Sequence, residues 1–66
     1  MPESELATAL RLYTEAQTDV LRQKRILDEL QRDGHPALGA RTLLQLLENT
    51  LAERQKILER VSVQQP

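Results

Sequence analysis

Asp33-Gly34-His35-Pro36 is the stretch whose reading decides the fold. Gly34 suits the left-handed C′ position at which many helices end. Arg32 places positive charge in the last turn, against the negative end of the helix dipole. Pro36 cannot extend the helix before it, but it is favourable as the first residue of a new one. The proline also biases His35 toward extended backbone, where it stands in position to cap the second helix. One helix stops and another starts within a few residues, and so short a connection makes the two antiparallel neighbours.

On the N-terminal side, no Gly or Pro interrupts Glu3 to Asp33, and good helix formers dominate the run. In a heptad frame the a positions are Leu6, Tyr13, Val20 and Leu27, and the d positions are Ala9, Ala16, Gln23 and Leu30. All of these except Gln23 are apolar or aromatic, the pattern of an interhelical seam. Leu10, Leu12 and Ile26 flank the seam. The start has two readings: Ser4 as N-cap with Glu5 in the first turn, or Pro2 as the first helical residue.

On the C-terminal side the seam continues through Ala37, Ala40, Leu44, Leu47, Leu51, Arg54, Leu58 and Val61, flanked by Leu43, Thr50 and Ile57. The fold expected is all-α: a coiled-coil-like antiparallel hairpin forming one domain over residues 1–66. Helix 1 covers about 3–33, the turn 34–36, helix 2 about 37–62, and a frayed tail 63–66. Pairing outward from the corner sets Leu30 near Ala40, Leu27 near Leu44 and Gln23 near Leu47. Val20 then meets Leu51, Ala16 meets Arg54, Tyr13 meets Leu58, and Ala9 or Leu10 meets Val61. Gly39, in the first turn of helix 2, either admits a close approach by helix 1 or is neutral.

The composition limits what such a hairpin can do. At 66 residues, folding buries only about 60% of the unfolded chain's surface. Small scaffolds therefore need disulfides, a metal, regular helix packing or oligomerisation. The chain has no cysteine and one histidine, so disulfides and thiolate metal sites are absent. Leu12, Leu21, Ile26, Leu43, Leu46 and Ile57 cannot all fit one narrow seam. A second apolar surface is implied, best buried by another copy as a homodimeric four-helix bundle with a two-fold interface. The interface residues expected are Leu12, Ile26, Leu43, Leu46, Leu47 and Ile57, with Asp33, Gly34, His35 and Pro36 forming the turn.

Chemistry-bearing patterns are sparse. Nine basic and ten acidic residues nearly balance, so no strong field draws nucleic acid or anionic membrane. Arg22-Gln23-Lys24-Arg25 is followed at once by Asp28 and Glu29, whereas a phosphate-tracking surface keeps one sign. His35 has one nearby carboxylate, Asp33, and no pocket; its expected role is a cap or a turn hydrogen bond. Asp28 with Arg32, and Arg25 with Glu29, stand at i,i+4 spacing. Gln23 and Arg54 interrupt the seam and read as register-setting residues, or, for Arg54, as a side chain that lies along the seam with its head in water. Glu15 and Asp19 are placed to pair with Arg54. No catalytic residue, metal site, cofactor or small-molecule substrate is expected. No run reaches the ~18 residues of a membrane span. Met1-Pro2-Glu3-Ser4-Glu5 lacks a signal's basic and apolar regions, so the expectation is cytoplasmic.

Arg22-Gln23, Ile26, Leu30, Asp33-Gly34-His35, Ala40, Leu43-Leu44, Glu48 and Leu51 together resemble small uncharacterised proteobacterial proteins of the rhizobial type. These carry Arg-Gln, then Ile and Leu at helical spacing, an Asp-Gly-His corner, Ala, a Leu pair and Glu. The resemblance spans about residues 20–58 and departs at Pro36, where a small polar capping residue is usual. It implies a helical hairpin and no assigned activity. A second resemblance, in length and hairpin form, is to the two-helix chaperones of type III secretion needles. The function expected is a non-enzymatic protein–protein interaction module that self-associates; the alternative is a chaperone or subunit of a hetero-complex, covering a helical partner.

Overall fold

The structure is a computed structural model and describes residues 3–64. Two helices, α1 (Glu5–Arg32) and α2 (Leu38–Gln64), pack against each other as an antiparallel hairpin. The expectations that fall on Met1, Pro2, Gln65 and Pro66 lie outside the described residues.

Ser4 is the N-cap of α1. Its backbone is extended, its hydroxyl accepts from Ala7 N–H at 3.0 Å, and its carbonyl accepts from Thr8 N–H at 2.9 Å. These bonds satisfy donors that every helix start leaves open. Glu3, just outside the helix, accepts from the Thr8 hydroxyl at 3.0 Å and from the Arg11 guanidinium at 3.1–3.2 Å.

At the other end, Gly34 takes φ +74°. His35 N–H donates to Leu30 carbonyl at 2.9 Å and Gly34 N–H to Gln31 carbonyl at 3.2 Å. This pair of bonds is the Schellman motif, which closes the last carbonyls of α1.

The start of α2 differs from the sequence reading. The helix begins at Leu38, and Arg41 N–H donates to Ala37 carbonyl at 2.9 Å. Pro36 therefore precedes the helix, and Ala37, with its carbonyl accepting the first bond, occupies the position assigned to His35. His35 does not cap α2, which corrects the first of its two expected roles; its part in the turn is the backbone N–H bond to Leu30 carbonyl, and its imidazole makes no hydrogen bond among the described residues. The reason is geometric: the chain leaves α1 through a left-handed residue and needs extended backbone to cross to the second axis, which consumes His35 and Pro36. At the far end α2 runs through Val63 to Gln64, two residues assigned to a frayed tail.

The seam is where the core sits. All sixteen seam positions read from the heptads are buried or half-buried, with Ala9, Ala16, Val20, Gln23 and Val61 the most enclosed. Val20 and Leu51 line one groove, and Ala9 and Val61 line another, so these residues share the same stretches of the hairpin. Leu10, by contrast, is exposed; Ala9 is the residue that meets Val61. Gly39 is exposed, and a Cβ there would meet nothing within 4 Å, so no close approach requires it.

Candidate functional site

The molecule measures 52 × 21 × 13 Å. Its short dimension is that of a single helix with side chains, about 10–12 Å. The hairpin is thus one layer thick, whereas domains are built from at least two packed layers around a core. It exposes 5187 Å², where a compact monomer of its 7.6 kDa mass exposes about 4,300 Å². Among the described residues no large side chain is fully enclosed, and Leu10, Leu21, Ile26, Leu38, Leu43, Leu46 and Val63 are all exposed.

These exposed groups are not distributed evenly. A quarter turn from the seam, on one broad side, α1 presents Glu5, Leu12, Asp19, Ile26 and Asp33 at seven-residue intervals. On the same side α2 presents Leu43, Thr50, Ile57 and Gln64. Continued from the Leu12 and Ile57 pair, the seven-residue spacing of two antiparallel helices brings Asp19 toward Thr50 and Ile26 toward Leu43. Leu12 and Ile57 line a shallow groove together with Glu3, Glu5, Thr8, Ala9 and Val61. Outside the seam, the described residues with any shelter are Thr8, Leu12, Asp19 and Ile57, and all four belong to this side. Ile26 at 39% and Leu43 at 46% exposure continue it, with Leu46 at 58% on its margin. Leu47, also expected at the interface, lies half-buried in the hairpin's own seam.

The opposite broad side is more polar. Its central groove is lined by Thr14, Gln17, Thr18 and Lys24 around Val20, Leu21 and Leu51. Leu10 and Leu21 are separate apolar points on that side rather than a continuous strip.

The two polar seam residues behave differently. Gln23, only 6% exposed, donates from Nε2 to the Ala40 carbonyl at 2.9 Å. This is the hydrogen bond that joins the two helices among the described residues, and it reaches nearer the corner than the expected partner Leu47. The small Ala40 side chain leaves its carbonyl accessible. A specific polar bond inside a seam fixes register. Arg54 is half-buried and forms no ion pair among the described residues. The pairings expected for it are corrected: Glu15 bonds Arg11 at 3.2 Å and Asp19 bonds Arg22 at 3.5 Å, both within α1. Asp28 with Arg32 and Arg25 with Glu29 form no bridge either. Exposed pairs of long side chains gain too little in water to be held in one geometry.

Among titratable groups, Glu3 stands out. Hydrogen bonds from Arg11 first, and from Thr8 second, hold its carboxyl below the ordinary value, and the bonds to Glu3 and then Glu15 raise Arg11. Both groups lie at the surface. The arrangement is an N-terminal brace rather than an acid–base site. Among the described residues no three of His, Asp or Glu gather where they could hold a metal ion. No helix there is long and apolar enough to cross a membrane. No protein-family model, curated protein or solved structure matches the chain.

Proposed function

We propose that this chain is a non-enzymatic protein–protein interaction module that self-associates through the Leu12, Ile26, Leu43 and Ile57 side of the hairpin, with Leu46 at the margin, to form a four-helix bundle. The observation that carries this reading is a hairpin one layer thick with a broad apolar side left open. Burial of apolar surface is the main favourable term in folding and in most association. A second layer is the ordinary way for helices with exposed apolar stripes to bury them.

The test is absolute mass by light scattering on a sizing column over a concentration series. A dimer mass at micromolar concentration supports the reading, provided that Leu46→Asp and Ile57→Asp weaken association. A monomer that unfolds cooperatively across the series would sink it. The open side would then belong to a different helical protein, as in a chaperone or hetero-complex subunit.

A further inference from the structure

Two copies can stack broad side to broad side about either of two axes, and the residues on that side distinguish between them. One axis lies in the hairpin plane across the helices and sets α1 over the second copy's α1. The other lies along the helices and sets α1 over the second copy's α2. Centred at Asp19, so that the two faces overlap fully, the first axis places Asp19 on the second copy's Asp19, and Glu5 against the second copy's Asp33. Like charges brought together at an interface oppose association.

The second axis gives a different result at every level. Residues on α1 and α2 that are neighbours within one hairpin become neighbours again between hairpins, because the axis preserves position along the bundle. Leu12 meets the second copy's Ile57 and Ile26 meets its Leu43. The Asp19 carboxylate meets a Thr50 hydroxyl, a donor it can accept from, and Glu5 meets the amide of Gln64. Each acidic residue of these α1 positions except Asp33 then faces an uncharged polar partner, and each apolar residue faces an apolar one. Asp33 faces the second copy's connection around Pro36.

Resting on the self-association proposed above, we infer that the occupant of the open side is a second copy of this chain, related by a two-fold axis parallel to the helices. The bundle core is two apolar layers, Leu12 with Ile57 and Ile26 with Leu43 from both copies. Between them lies one polar layer of paired Asp19 and Thr50. The broad side has outer dimensions of 52 × 21 Å, the scale on which a standard stable interface takes roughly 800 Å² from each partner.

The absence of cysteine from the chain permits a clean test. Asp19→Cys and Thr50→Cys chains are oxidised separately and then as an equimolar mixture, and products are separated by mass. The expected result is a 19-to-50 disulfide between chains in the mixture, with little cross-linking of either variant alone. Residues of one kind sit diagonally across the bundle, beyond the roughly 7 Å Cα separation a disulfide spans. Methyl NOEs in a mixed-label dimer of the unsubstituted protein give a second reading: Leu12 to the second copy's Ile57, and not to its Ile26. That reading does not depend on how the cysteine variants fold. A dimer that links 19 to 19 and 50 to 50, with Leu12-to-Ile26 NOEs between chains, overturns the inferred axis while leaving self-association standing. A monomeric mass for the unsubstituted chain overturns both.

Discussion

At the scale of single residues, the two glycines have opposite roles. Gly34 holds φ +74°, a conformation that costs an L-residue with a Cβ roughly 1–2 kcal/mol. Gly34→Ala is therefore expected to destabilise by about that amount, read from the urea midpoint at unchanged m-value. Gly39 sits in regular helix with open space where a Cβ would go, so Gly39→Ala should stabilise by about 0.5–1 kcal/mol. An equal response at the two sites would contradict the left-handed cap. Glu3 gives a pH signature. Its folded carboxyl titrates below the ordinary 4.5, so the brace to Arg11 and Thr8 adds stability above that value. The contribution is lost as pH falls through the lower folded value. Carbon-detected NMR titration should find Glu3 depressed in the parent and returned toward its ordinary value in Arg11→Leu. Identical titration in the two proteins would mean that the brace is not formed in solution.

Most of the stability of each helix comes from packing its apolar face into the seam rather than from propensity alone. The seam was readable because a 3.5-residue repeat sustained over four heptads leaves little choice of face. The end of α1 was readable because few residues besides glycine adopt its left-handed stop. The start of α2 was not. The preference of proline for a helix's first position competes with the need for extended backbone across the corner, and sequence alone does not rank them. Nor did the sequence disclose the partner of Gln23, since that depends on a long side chain reaching past Ala40 to the backbone. Among helical residues the Ala40 carbonyl already accepts its own i+4 bond, so removing Gln23 leaves no orphaned acceptor. Gln23→Leu should then stay within about 1 kcal/mol of the parent, while Gln23→Ala, which also leaves a gap, should cost about 1–2 kcal/mol. Urea denaturation of the pair separates the two effects, and a large loss in the leucine variant would show that the hydrogen bond itself dominates.

For the molecule as a whole, the apolar residues of the open side were legible from their spacing, but its charge pattern acquires meaning only once both helices are placed. Glu5, Glu15, Asp19, Glu29, Asp33 and Glu53 lie on or beside that side, against Arg22 and Arg60. Two copies brought face to face thus join apolar strips inside an acidic rim. The rims stay in water, where charges separated by more than about 10 Å are screened at 0.1 M salt. Added salt should therefore tighten self-association, and thermal unfolding should move upward with both protein concentration and ionic strength, because binding to the native state raises apparent stability. Sedimentation equilibrium between low and moderate salt measures the effect directly. A basic partner covering the same side would give the opposite slope, its complex loosening as salt rises. The sign of the salt dependence, measured on the purified chain and on any captured complex, thus separates a second copy from a cationic helix as the natural occupant. A dimer that weakens with salt would show that its interface lies on another face.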